Sequence, residues 1–465
     1  MPKAYPWKQF QQWSKIYGDI FSLQIGQMTI IVLGTHQVAK DLLSKRAVIY
    51  NSRPRLVMAA ECVKKNFGAA LLPYSETWRQ RHKIQMTFLN TRKCCLYKPL
   101  QHLESCHLLF NLLSTNDFET ELHRYSTSLI LTLLYGRRIV TGQEPELEQI
   151  EQLLSEILQS ASFGNWLVDV FPLFNVLPRM LAKWKRIGDD LHQRQSELYE
   201  GSLEGAVKAA PWNWSKQSYL IDKPPVSSKE LAFVLGDIYE AGSHTTTVSL
   251  IVAILACVSH PEAMRRVQKE LDERVGTTCL PSLDDAPSLP YTRSFVEEVL
   301  RWRTLAPQGV PHSPLRDDVY NGYLIPKGAT VISNQWSFNM DEKVFSSPDD
   351  FQPERWMDHA DLPLAAFGFG KRTCPGQHLA RSSLMLVISR LLWAFDITWK
   401  QGQGKQPAQI DIRQEGIAVR PCSFGAEFKV RSSVHEKLIR AEWKISMAEN
   451  LSDLLNGIGQ RFAET

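Results

Sequence analysis

One stretch constrains the fold more than any other. From Ser227 to Ser259 the chain carries apolar residues throughout, opened by a capping box of Ser227 and Glu230 and stopped by His260-Pro261. At 1.5 Å per residue such a helix is roughly 45–50 Å long, enough to cross a whole domain. A helix that is apolar all round lies in a large core or in a membrane. Gly236, Asp237, His244 and a run of three threonines (Thr245–Thr247) argue for the core. The fold must then be a large helical body built around one central rod.

The remaining periodicities agree. Helical spacing is predicted over 7–18, 35–45, 77–88, 96–113, 118–135, 147–159, 180–205, 262–275 and 291–303, and again from 379 to 395. Alternation predicts a hairpin over 20–33 turning at Gly26-Gln27, a second over 318–325 turning at Asn321-Gly322, and a strand over 329–334. Residues 53–74 read as an irregular apolar loop. The segment 163–178, rich in aromatics and broken by Pro172 and Pro178, reads as a lid. This describes a mainly α protein with small β-sheets: one domain over 1–434, followed by an amphipathic helical tail at 435–465 with Leu438, Ile439, Trp443, Leu451, Leu454 and Leu455.

Composition allows this and excludes alternatives. Among 465 residues, 44% are hydrophobic and 10% aromatic, enough for a sizeable core. A net charge of +4 is too mild for nucleic-acid binding. The eight cysteines show no paired spacing, which points to a reducing compartment. No unbroken run of about 18 apolar residues occurs and the N-terminus has no signal-peptide pattern, so no transmembrane segment is expected in this chain.

The chemistry concentrates in Phe367-Gly-Phe-Gly-Lys-Arg-Thr-Cys-Pro-Gly-Gln-His-Leu-Ala380. Two glycines loosen the backbone before Cys374, and Pro375-Gly376 turns it into an apolar helix. A helix N-terminus favours an anion, and so a thiolate, at Cys374. Such a thiolate is a nucleophile or a metal ligand. A nucleophile needs a neighbouring base, whereas a haem ligand needs N–H donors, a cation and an aromatic, which Phe367, Arg372 and the backbone after Cys374 offer.

Phe-x-x-Gly-x-Arg-x-Cys-x-Gly, met at Phe367, Gly370, Arg372, Cys374 and Gly376, resembles the haem-thiolate signature of the cytochrome P-450 superfamily. Four further stretches agree in order. Trp78 followed by His82, with Arg81 beside it, resembles the pair that meets the haem propionates. Ala241-Gly-Ser-His-Thr-Thr246 resembles the oxygen-activation motif, with His244 where an acid usually precedes the threonine. Glu298 and Arg301 with Pro353-Glu-Arg-Trp356 resemble a buried structural triad of Glu298, Arg301 and Arg355. His312 stands where the family offers another propionate partner.

The resemblance implies the cytochrome P-450 fold, with the long helix over haem b, and most closely suggests fungal microsomal members of secondary-metabolite pathways. It implies a monooxygenase with Cys374 as axial ligand of the haem iron and Trp78, His82, His312, Phe367, Arg372 and Gly376 around the cofactor. Thr245 and His244 would move protons. Ala241, Leu305 and Val310 would line the pocket for a small hydrophobic substrate, with 57–72, the lid and the turn at Gly416-Ile417 as further walls. NADPH electrons would arrive through cytochrome P-450 reductase, with cytochrome b5 as a second donor. Arg81, Lys83, Lys371 and Arg372 are expected to form the basic patch that meets the reductase. By the same resemblance a monomer at the cytoplasmic face of the endoplasmic reticulum is expected, with membrane association only in a form that carries a family-type anchor, and no such anchor is expected in this chain. Two other readings stand beside it: a haem-thiolate isomerase or dehydratase needing no external electrons, and a non-catalytic haem-binding protein.

Overall fold

The computed structural model describes residues 5–162, 164–220, 225–359, 361–400 and 410–464. Phe163, at the start of the expected lid, lies outside the described residues, as do residues 1–4 and part of the loop before Ser227.

The capping box forms as read. Ser227 Oγ accepts from Glu230 N at 3.2 Å, and the Glu230 carboxylate accepts from Ser227 N at 2.9 Å. The helix it starts, Ser228–Ser259, is 32 residues long, and His260 closes it by donating its N–H to the Ala256 carbonyl at 2.8 Å. Among the described residues this is the one helix long and apolar enough to cross a membrane. Protein buries 61% of its apolar window, so it is the core rod. It packs against the helices Phe118–Tyr135, Lys183–Lys208 and Gln377–Ala394. Tyr199, Phe233, Leu250 and Leu255 are among the side chains buried along these contacts.

The sheets are small and peripheral. Ile20–Ile25 pairs antiparallel with Met28–Leu33, which pairs in parallel with Thr330–Ser333, so the start of the chain is tied to a segment some three hundred residues later. Asp318–Tyr320 and Tyr323–Ile325 form the expected second hairpin, with Asn321 at positive φ.

Four readings need correction. Inside 53–74, residues Val57–Val63 form a buried wide-turn helix held at its start by Asp169 Oδ1, which accepts from Met58 N at 2.9 Å. Six of its seven residues are apolar, so no periodicity betrayed it. The lid contains two short helical pieces, Leu167–Val170 and Pro172–Val176. The helix expected over 180–205 is Lys183–Lys208. Phe395–Trp399 pairs with Ala426–Val430, a sheet masked because Phe395 continues the apolar run of the preceding helix.

The triad of Glu298, Arg301 and Arg355 is present. Arg301 donates twice to Glu298, at 2.8 Å from both Nε and Nη2, and Arg355 Nε donates at 3.2 Å. Trp356 Nε1 and Gln352 N, both at 2.9 Å, also donate to the carboxylate. Arg301 then reaches the carbonyls of Asn339, Pro348 and Asp350. A fully buried carboxylate with five donors pins the loops 339–356 to the helix Pro290–Trp302, because breaking any part strands a buried charge.

The tail forms two helices, Ser433–Ala448 and Leu451–Glu464. Trp443 stacks on His107 with ring centres 4.4 Å apart, and Phe462 stacks on Phe88 at 5.5 Å. Ile439, Leu455 and Ile458 are fully buried.

Candidate active site

Backbone hydrogen bonds shape the Cys374 loop. Cys374 N donates to the Phe367 carbonyl at 2.8 Å, and Gly368 N to Ala365 at 2.9 Å. Gly370 has φ of +56° and sits where a Cβ would strike the Leu43 carbonyl, so only glycine fits. Phe367 is held beneath the Arg381 guanidinium, 5.0 Å from its ring centre, and Arg381 is paired with Glu297. Burial pushes the pKa of the Cys374 thiol up, outweighing the N–H groups of Gly376 and Gln377, which pull it down as the helix start predicts. A thiolate here would be stabilised by a cation bound at sulfur, which an iron ion would supply.

A second group surrounds Trp78 and Arg372. Arg372 lies 4.1 Å over the Trp78 ring, and His82 stacks on the other ring contact of Trp78 at 4.7 Å. Arg372 donates only to carbonyls, Nε to Asn51 at 2.6 Å and Nη2 to Leu72 at 2.7 Å. Near it Arg53 does the same, from Nη1 to Val310 at 2.7 Å and Pro311 at 2.8 Å. Burial lowers Arg372 to about 10 and, with Arg372 as a neighbouring cation, Arg53 to about 9. His312 is buried beside both arginines. Its Nδ1 lies 2.8 Å from the Tyr50 carbonyl, so that nitrogen carries the proton, and burial with the two cations drives its pKa down to about 3.

Neither arginine has a carboxylate partner among the described residues. Two buried guanidiniums without an anion are costly on their own, and the pair of propionates on haem would neutralise both. With the thiol and its two N–H donors, this set fits haem. Arg53 was invisible to sequence reasoning; the only signal was a basic residue before Pro54 in an otherwise apolar loop.

Arg81 does not belong to this group. It is buried, donates from Nη2 to Glu230 at 2.5 Å and from Nη1 to the carbonyls of Asn66 and Gly68, and so anchors the start of the central helix. Arg81 and Arg372 are thus both buried, and the expected basic patch reduces to the exposed Lys83 and Lys371.

On the central helix, Ala241 is exposed and Gly242, His244, Thr245 and Ser249 are half-buried, mid-way along a largely buried rod. Thr245 Oγ1 donates to the Ala241 carbonyl at 2.6 Å and Ser249 Oγ to the Thr245 carbonyl at 3.0 Å, so one face carries a line of hydroxyls bonded back to the helix. Gly242 has another reason to be glycine: a Cβ there would come within 2.6 Å of Ile130, so it serves helix packing. His244 is directed to the hairpin Ile412–Glu415/Ala418–Pro421, where its Nε2 lies 3.4 Å from Glu415 Oε2. The turn of that hairpin is the expected Gly416-Ile417, and Val419 N donates to the Leu305 carbonyl at 2.8 Å. Leu305 and Val310 are therefore fixed by their carbonyls, one to the hairpin and one to Arg53, with both side chains partly exposed.

Known proteins resemble this chain in sequence and fold. The family model described as Cytochrome P450 matches residues 2–428. The cytochrome P450 monooxygenase aneD of Aspergillus aculeatus is 41% identical over 95% of this chain and 87% of its own length. The cytochrome P450 monooxygenase drtD of Aspergillus calidoustus is 38% identical over 98% and 88% respectively. A zebra fish cytochrome P450 structure with progesterone superposes with a TM-score of 0.76 at 25% identity, covering 92% of this chain and all of that one. With the cysteine loop, the buried triad and the central helix in place, the chain belongs to the cytochrome P450 family and is a haem-dependent monooxygenase.

Proposed function

We infer that Cys374 carries the haem iron, that Arg53, Arg372, His312 and the Trp78–His82 pair hold the propionate side, and that Thr245 and His244 deliver protons. The observation that carries this assignment is the pair of buried arginines without carboxylates, set near the cysteine loop through Arg372. When bound, haem uses O2, two electrons from NADPH and two protons to place one oxygen atom in a substrate C–H bond and release the other as water.

The chain's own residues do the rest. Gly376 and Gln377 donate N–H groups to sulfur and steady its negative charge. Arg372 is clamped by Trp78 and by two carbonyls, so its charge cannot swing away from a propionate. Thr245 donates its hydroxyl hydrogen to the Ala241 carbonyl and presents the oxygen as an acceptor at the exposed face of the central helix. Ala241, Leu305, Val310 and Ile417 supply an apolar wall, which suits a hydrophobic secondary metabolite.

Electrons come from an NADPH-dependent reductase docking near Lys83 and Lys371 on the cysteine side. Membrane association is supported by the lid, whose Leu167, Leu173 and Val176, with Met180 and Leu181 just after it, are each at least 70% exposed. The test is reconstitution with reductase and a panel of apolar substrates. Product that requires both NADPH and O2 is expected; product formed without them would establish the isomerase or dehydratase reading instead.

A further inference from the structure

The sequence puts no carboxylate immediately before Thr245. His244 occupies its place, and the imidazole faces Glu415 at an ion-pair distance of 3.4 Å. Nε2 has no aligned hydrogen-bond partner among the described residues, so the ring is drawn to Glu415 without being locked there. Glu415 itself is held in place. Arg413 Nε donates to its Oε1 at 2.9 Å, and the next residue, Gly416, has φ of +65° in a position where a Cβ would strike the Leu158 carbonyl. At 28% exposure the Glu415 side chain still reaches water.

The other charged groups around His244 are already engaged. His123, on Phe118–Tyr135, lies with Nδ1 3.1 Å from Glu151, on Pro145–Ser160. Arg420, on the second strand of the hairpin, is paired with Glu119. Glu151 also feels His244, but Glu415 is the carboxylate at ion-pair distance from it, and His244 together with Arg420 and Arg413 keeps Glu415 ionised against the effect of burial.

We propose that Glu415 is the acid of the proton relay, acting through His244. A proton from bulk water reaches Glu415, passes to His244 Nε2, and is released on the Thr245 side when the imidazole turns. Each proton given up is replaced from water through Glu415, and no electron moves. Glu415 is on this account a positioning and charging residue for His244, and the proposal rests on the reading of His244 as a proton donor to the site.

The test uses the full-length, haem-loaded chain with 15N-labelled histidine, the His244 signal being assigned by its loss in His244→Gln. Two quantities are read: the titration midpoint of His244, and the fraction of NADPH electrons that leaks to hydrogen peroxide. A carboxylate stabilises imidazolium, so Glu415→Gln is expected to lower the midpoint by about one pH unit, and Glu415→Asp to retain most of it. Leakage is expected to rise at least about threefold in Glu415→Gln and in His244→Gln, with no further rise in the double variant, as for residues acting in series. If His244→Gln and Thr245→Ala leak while Glu415→Gln matches wild type in both quantities, the Glu415 proposal is wrong and the His244 reading stands. A lower midpoint without added leakage also overturns it, leaving Glu415 an electrostatic neighbour. No leakage from His244→Gln removes the underlying reading, and this proposal with it.

Discussion

Arg53 and Arg372 spend their hydrogen bonds on carbonyls while burial presses both toward the neutral form. A cofactor anion is what such a pair is built to hold, so Arg53→Met should weaken haem retention more than any change in the protein's own contacts suggests. Losing one partner of a buried charge pair costs about 2–5 kcal/mol, so haem transfer to apomyoglobin should quicken tenfold or more; an unchanged rate would remove Arg53 from the site. At this scale the sequence was readable wherever chemistry is set by near neighbours. Cys374 with its glycines, and Glu298 with Arg301 three residues on, follow from local geometry. Arg53 with Val310 and His244 with Glu415 are joined across long stretches of chain, and no local rule pairs them. Burial was equally hidden: Arg81 and Arg372 read as surface cations because nothing nearby says that Glu230 or Trp78 covers them.

Elements carry a different kind of consequence. The lid piece Leu167–Val170 is latched to Val57–Val63 through Asp169, whose carboxylate accepts from Met58 N. Burial raises Asp169 to about 6, against the pull of the Met58 and Val57 amides. The folded protein therefore binds this proton more tightly than the unfolded chain does. The stabilisation is full below the unfolded value of about 4 and is lost as pH rises through about 6. Asp169→Asn keeps an acceptor oxygen without the charge, so its latch should gain on wild type as pH goes from about 4 to 7. Hydrogen exchange at Met58 and its neighbours measures this; parallel pH profiles for the two proteins would contradict it. Neither the wide-turn helix nor its latch was readable beforehand, since an almost uniformly apolar heptapeptide has no period to detect. The central helix was readable, because its capping box and its stop are local signals at both ends.

For the molecule as a whole, the tail is part of the core it covers. The family model ends at residue 428, but Ile439, Trp443, Leu455, Ile458 and Phe462 are buried against the body of the protein. We propose that residues 435–464 act as a structural cap on the domain 1–434. Replacing a large buried aromatic by alanine costs about 3–5 kcal/mol, so Trp443→Ala should lower the urea midpoint clearly while leaving the haem spectrum of the folded protein unchanged. A midpoint equal to wild type would make the tail an ornament. The amphipathic pattern was plain in the sequence, but its receiving surface, His107 and Phe88 among others, is assembled only in three dimensions. The proposed haem site depends on one bond, between Cys374 and iron, and the carbon monoxide difference spectrum of the reduced protein tests it directly. The account predicts the strongly red-shifted Soret band of a thiolate-bound complex, lost in Cys374→Ser; an unshifted band in wild type, or a red-shifted one that survives in Cys374→Ser, would contradict it.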